Sequence, residues 1–167
     1  MCSAAMTLAV YAHVLAGQQE AATRVPLGYD FRLYTYGPYD ATVLDDLEYA
    51  QQLGAVSSEI DIYSKGYGYS YSPGRTLEAI QKRSTVFLAT YDDALDQVVS
   101  AFASKSASQL ELESTLFFVA RNNDAHNRKS DLVEQVKEIK PHFPVDQIRS
   151  TADALARAGH LPTWNQN

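Results

Sequence analysis

The chain has 167 residues, 46% of them hydrophobic and 20% charged, a length and composition sufficient to bury a core without covalent staples. Its single cysteine, Cys2, excludes an internal disulfide and points to a reducing, cytoplasmic setting. The net charge of −6 is uneven: residues 1–74 hold three basic against eight acidic side chains, a net of −5, and the remainder holds eleven against twelve, a net of −1. A polyanion is therefore a poor partner for the first half, because phosphate binding rests on Lys and Arg displacing counterions.

Residues 4–16, within AAMTLAVYAHVLAG, are helix formers with apolar positions three and four apart. The stretch lacks a basic leader and falls short of the roughly 20 residues that span a bilayer, so it reads as a core helix and no membrane partner is expected. YDFRLYTY (29–36) alternates with a period of two and predicts a strand, which Gly37-Pro38 should break. Asp40 is placed to cap a helix running to Leu53, and Gly54 supplies its C-terminal turn.

A hairpin is expected next, in AVSSEIDIYSKGYGYSYSPG. With a loop at Lys65-Gly66, Ser64 would pair with Tyr67, Ile62 with Tyr69 and Ile60 with Tyr71. That register puts both isoleucines with Tyr69 and Tyr71 on one face, expected to lie over a core, with Tyr63 and Tyr67 exposed.

Thr76 is positioned to cap a long helical region reaching about Ser104, with a bend or break near Ser84. KSASQ (105–109) is the clearest linker. Ser108 with Glu111 makes a capping-box pattern for a helix over 109–121. Beyond the polar stretch RNNDAHNR, a helix is predicted over 131–139, and Pro144 opens a last helix that ends at Gly159. LEYAQQLGAV (47–56) and ADALARAGHL (152–161) resemble each other, either as traces of duplication or as two ordinary helix ends.

Helix, strand, Gly-Pro-Tyr, helix, Leu-Gly and hairpin follow in the order of a winged helix. YTYGPYDATVLDDLEYAQQLGAV (34–56) with SKGYGYSYSPG also resembles an uncharacterised family of bacterial and phage-associated winged-helix-like proteins, distantly akin to the Panacea antitoxin domains. The matching positions are Tyr36, Gly37, Pro38, Tyr39, Leu44, Leu47, Leu53, Gly54 and the tyrosine-rich hairpin. The resemblance implies a regulatory, defence-associated or antitoxin-like role and provides no catalytic residues. The expected architecture is a mostly helical α+β protein, with a winged-helix-like module over 1–75 and a helical module over 76–167.

Nothing in the residues assembles into an enzyme's site. His13, His126, His142 and His160 form no close pair with metal-ligand spacing. Asp45-Asp46 and Asp92-Asp93 are adjacent, and adjacent residues on a helix diverge by about 100°. No glycine loop occurs between a strand and a helix where it would cradle phosphate. Neither a cofactor nor a metal is expected.

A winged helix ordinarily reads DNA with a helix in the groove, but the helix in that position carries Asp45, Asp46 and Glu48 and no Lys or Arg. The expectation is an interaction module that binds a protein partner, or a second copy of itself, through Tyr63, Tyr67, Asp45, Asp46 and Glu48. The alternative is a transcriptional regulator contacting DNA through Arg121, Arg128, Lys129, Lys137, Lys140 and Arg149 in the basic positions of the second half.

Overall fold

A computed structural model describes residues 25–63, 66–122 and 129–161; of the residues in its strands, the side chains of 61, 63 and 66–69 lie outside the description. The helix expected over 4–16 also lies outside the described residues. The chain is a mostly helical α+β protein in which a hairpin is followed by helices. Its elements are β1 (Arg32–Tyr34), β2 (Gly37–Tyr39), α1 (Ala41–Gln52), β3 (Val56–Tyr63), β4 (Gly66–Pro73), α2 (Leu77–Arg83), α3 (Thr85–Phe102), α4 (Ala107–Asn122), α5 (Lys129–Ile139) and α6 (Val145–Arg157).

Two compact units divide the chain. Residues 39–107, with the segment ending at Arg32, form the first, and Leu33–Pro38 with the residues from Ser108 onward form the second. The division at 107/108 falls inside the KSASQ linker, and position 75/76 lies within the first unit.

In the first unit, Asp40 caps α1 as expected, with its Oδ1 accepting from the Thr42 amide at 2.8 Å. The helix ends where Gly54, at φ +73°, donates to Gln51 O and Ala55 donates to Ala50 O. This pair of bonds is a Schellman cap, and it turns the chain directly into β3. The base of the hairpin is tied down at the same point. Gly74 N donates to Ala55 O at 2.8 Å, and Thr76 Oγ1 donates to Leu53 O at 2.7 Å rather than capping α2. The expected break at Ser84 separates α2 from α3.

Strands β3 and β4 pair antiparallel, and among the described residues they pair only with each other. Tyr63 faces Gly66, Ile62 faces Tyr67, Ile60 faces Tyr69 and Ser58 faces Tyr71. The connection is thus Ser64-Lys65, two residues out of the expected register. A slip of two leaves every residue on its original face, because side chains alternate with a period of two.

The strand expected over 29–36 also needs correction. Only Arg32–Tyr34 is extended, and Gly37–Tyr39, read as a break, forms a short return strand paired with it. Gly37 makes the return possible: it is buried at φ +116°, and a Cβ there would stand 2.8 Å from Ser114 Oγ.

The second unit is a helical core. Leu112, Leu116 and Val119 of α4 pack with Leu132, Val133 and Val136 of α5 and with Ile148, Ala152 and Leu155 of α6, and Phe143 and Leu161 close the cluster. Helix α4 is buried nearly all round in its middle turns, and Ser114 and Thr115 satisfy their hydroxyls on the Glu111 carbonyl at 3.2 and 2.7 Å. No helix among the described residues is long and apolar enough to cross a membrane.

Candidate functional site

In the first unit, the side chains with a claim to function surround α1 and the β3–β4 hairpin. Asp45, Asp46 and Glu48 are all exposed. Asp46 Oδ2 accepts from Tyr29 Oη at 2.6 Å, and Glu48 Oε1 accepts from Gln52 Nε2 at 3.4 Å. Asp45, Glu48, Tyr49 and Gln52 fall at i, i+3, i+4 and i+7, so they share one side of the helix, and Tyr49 is exposed among the acids. Upstream, Arg32 is paired with Asp30 at 2.9 Å. The hydrogen bond and charge of that carboxylate raise the guanidinium above its ordinary value, so it stays charged.

The hairpin presents its apolar face openly. Ser58 Oγ donates to Gln51 Oε1 at 2.7 Å, which brings the base of β3 against α1. Each further pair of residues advances about 6.6 Å along the strand, so Ile60 and Ile62 extend past that contact and are 62% and 86% exposed. The expectation that these isoleucines cover a core is therefore corrected: both side chains stand largely in solvent. Tyr67 and Tyr69 sit opposite Ile62 and Ile60 in the ladder. The side chains of Tyr63 and Tyr67 lie outside the described residues.

In the second unit, most basic side chains are committed to internal acceptors. Lys140 is the clearest correction: it is only 2% exposed. Its Nζ donates to Glu111 Oε1 at 2.9 Å, to Tyr34 O at 3.5 Å and to Thr35 O. An ammonium has three donors, and these contacts occupy all of them. The lysine is buried because it directly follows α5 and continues the stripe of Leu132 and Val136, spaced by four, which faces the core.

Glu111 is not the capping-box partner that its spacing from Ser108 implies. Helix α4 starts at Ala107, so Ser108 is already within it, and the carboxylate turns inward to Lys140. The same Oε1 lies 3.4 Å from His142 Nε2. The signal that could have found this pair is the lysine in an apolar stripe, which needs a buried acid opposite.

Lys137 donates to Pro141 O and Phe143 O at 2.7 and 2.9 Å, tying off the end of α5. Lys129 is paired with Asp153, and Arg149 with Asp146 at 3.0 Å. Arg121 is exposed in the last turn of α4, and Arg128 lies outside the described residues. The structure thus gathers Asp45, Asp46 and Glu48 as exposed side chains on one helix, whereas Lys129, Lys137, Lys140 and Arg149 are each engaged in a separate contact within the second unit.

Compared with protein-family models, curated proteins and solved structures, the chain matches none.

Proposed function

We propose that the chain is a non-enzymatic, cytoplasmic interaction module of regulatory or defence-associated type, which binds a protein partner or a second copy of itself through its first unit. The observation that carries this reading is the β3–β4 hairpin, whose Ile60 and Ile62 stand largely in solvent beside a helix carrying Asp45, Asp46 and Glu48 without a basic residue. Exposed isoleucines offer apolar area of the kind concentrated at the centres of protein interfaces, and the ladder sets tyrosines opposite them in register. The acidic helix beside them favours a partner edged with Lys or Arg. The winged-helix and antitoxin-like resemblance is compatible with this role and belongs to the same proposal.

The test is a pair of measurements on the wild-type chain and on Ile60→Asp/Ile62→Asp. Sedimentation velocity reads self-association, and affinity capture from nuclease-treated host lysate reads partners. A complex that survives nuclease, is lost in the isoleucine variant and persists in Arg149→Glu supports the proposal. Enrichment of DNA fragments sharing a sequence, abolished by Arg121→Glu, would instead make the chain a DNA-binding regulator.

A further inference from the structure

The six residues Leu33–Pro38 are counted with the second unit, while the residues on both sides of them, Arg32 and Tyr39, are counted with the first. Most of the tip's side chains stand in solvent. Tyr34 is 67% exposed, Thr35 and Tyr36 are exposed, Leu33 and Pro38 are half-buried, and the one buried residue is Gly37, which has no side chain.

Polar contacts hold the tip to the helices. The Lys140 ammonium reaches up to the carbonyls of Tyr34 and Thr35, and Gly37 lies against Ser114. The Lys140–Glu111 ion pair, by contrast, is made between α4 and the end of α5 and does not need the tip. When the tip leaves, two carbonyls exchange a charged donor for water, and the ammonium keeps its carboxylate while water takes the freed donors. The helical core below, from Leu112 to Leu161, contributes no residue to the tip and loses none.

We propose that Leu33–Pro38 is a releasable strap on the second unit and that Lys140 is its clip. Release bares a buried ammonium–carboxylate pair and frees the Tyr34–Tyr36 turn, with the core of α4, α5 and α6 intact. This device is independent of the interaction face proposed for the first unit, since it uses neither β3–β4 nor α1.

Acylation of lysines in the full-length folded protein, read by mass spectrometry, tests the strap directly. Exposed Lys82 serves as the internal reference. In the wild type, Lys140 should react far more slowly than Lys82. Gly37→Ala strains the strap at φ +116° and crowds Ser114 without touching the ion pair; it should speed Lys140 labelling by at least about tenfold. Amide exchange at Leu116 should stay as in the wild type.

Labelling of Lys140 in Gly37→Ala within about twofold of wild type would overturn the clip. So would a rise matched by an equal loss of protection at Leu116, since the whole unit would then be opening. Should the variant fail to fold, graded urea on the wild type decides. A releasable strap gives Lys140 labelling a shallower urea dependence than exchange at Leu116, and equal slopes refute it.

Discussion

Lys140→Met removes one ammonium from the second unit and nothing else of comparable size. The side chain is 3% exposed and its partner Glu111 9% exposed, so the substitution leaves a carboxylate buried without its ammonium, with the His142 imidazole 3.4 Å away. The Tyr34 and Thr35 carbonyls lose their donor as well. Breaking a buried pair from one side costs about 3–5 kcal/mol, a large share of the ~5–15 kcal/mol that holds a typical protein folded. Urea unfolding followed by far-UV circular dichroism should show the midpoint fall by at least about 1 M, given slopes of about 1–3 kcal/mol per molar. Glu111→Leu/Lys140→Met removes both charges and should recover most of the loss, because the desolvation cost disappears with the attraction. Equal stability of Lys140→Met and the wild type, or a double variant as unstable as the single one, would refute the reasoning.

Three further variants separate surface from support. Ile60→Asp/Ile62→Asp should change unfolding free energy by no more than about 0.5 kcal/mol, since neither residue is buried, and urea titration checks this alongside the binding assays. Asp40→Ala removes the α1 cap and should cost about 1 kcal/mol, seen as faster amide exchange in the first turn of α1. Ile148→Ala, at a site with no exposure in the helical core, should cost about 2–5 kcal/mol and lower the thermal midpoint.

Local chemistry was legible from the sequence wherever a feature is decided by neighbouring residues. Asp40, Gly54, the break at Ser84 and the start of α6 after Pro144 all lie where caps and breakers put them. The likeness of LEYAQQLGAV and ADALARAGHL has a local cause too. His160 donates to Leu155 O and Gly159 to Ala156 O, the same two bonds that Ala55 and Gly54 make, and Gly159 is at φ +77°. Both stretches spell one helix ending, with Ala55 buried one residue after the first glycine and Leu161 buried two residues after the second.

Long-range partners were not legible. The 29 positions between Glu111 and Lys140, and the 105 between Thr35 and Lys140, are bridged only once the helices pack. Glu111 therefore read as a cap and Lys140 as a surface charge, although both belong to the interior. The hairpin register failed for a different reason: Lys65-Gly66 and Ser64-Lys65 are both two-residue connections, and both keep the isoleucines and tyrosines on one face. Periodicity is blind to such a choice. It is equally blind to whether a face is covered, and Ile60 and Ile62 stand largely in solvent.

Strand β4, GYGYSYSP, carries no charged side chain along its eight residues, whereas β3 carries Glu59 and Asp61. Among the described residues it pairs with β3 alone, and its sequence sets glycines and a terminal proline against an incoming strand, where lysines would ordinarily repel one. A second molecule adding there through its β3 would extend a sheet rather than complete a fold, and would present its own β4 to the next. Concentrated solutions of the protein should therefore be limited by fibrillar growth from this single strand, and one lysine placed at Ser70 or Ser72 should raise that ceiling while leaving the helical unit untouched.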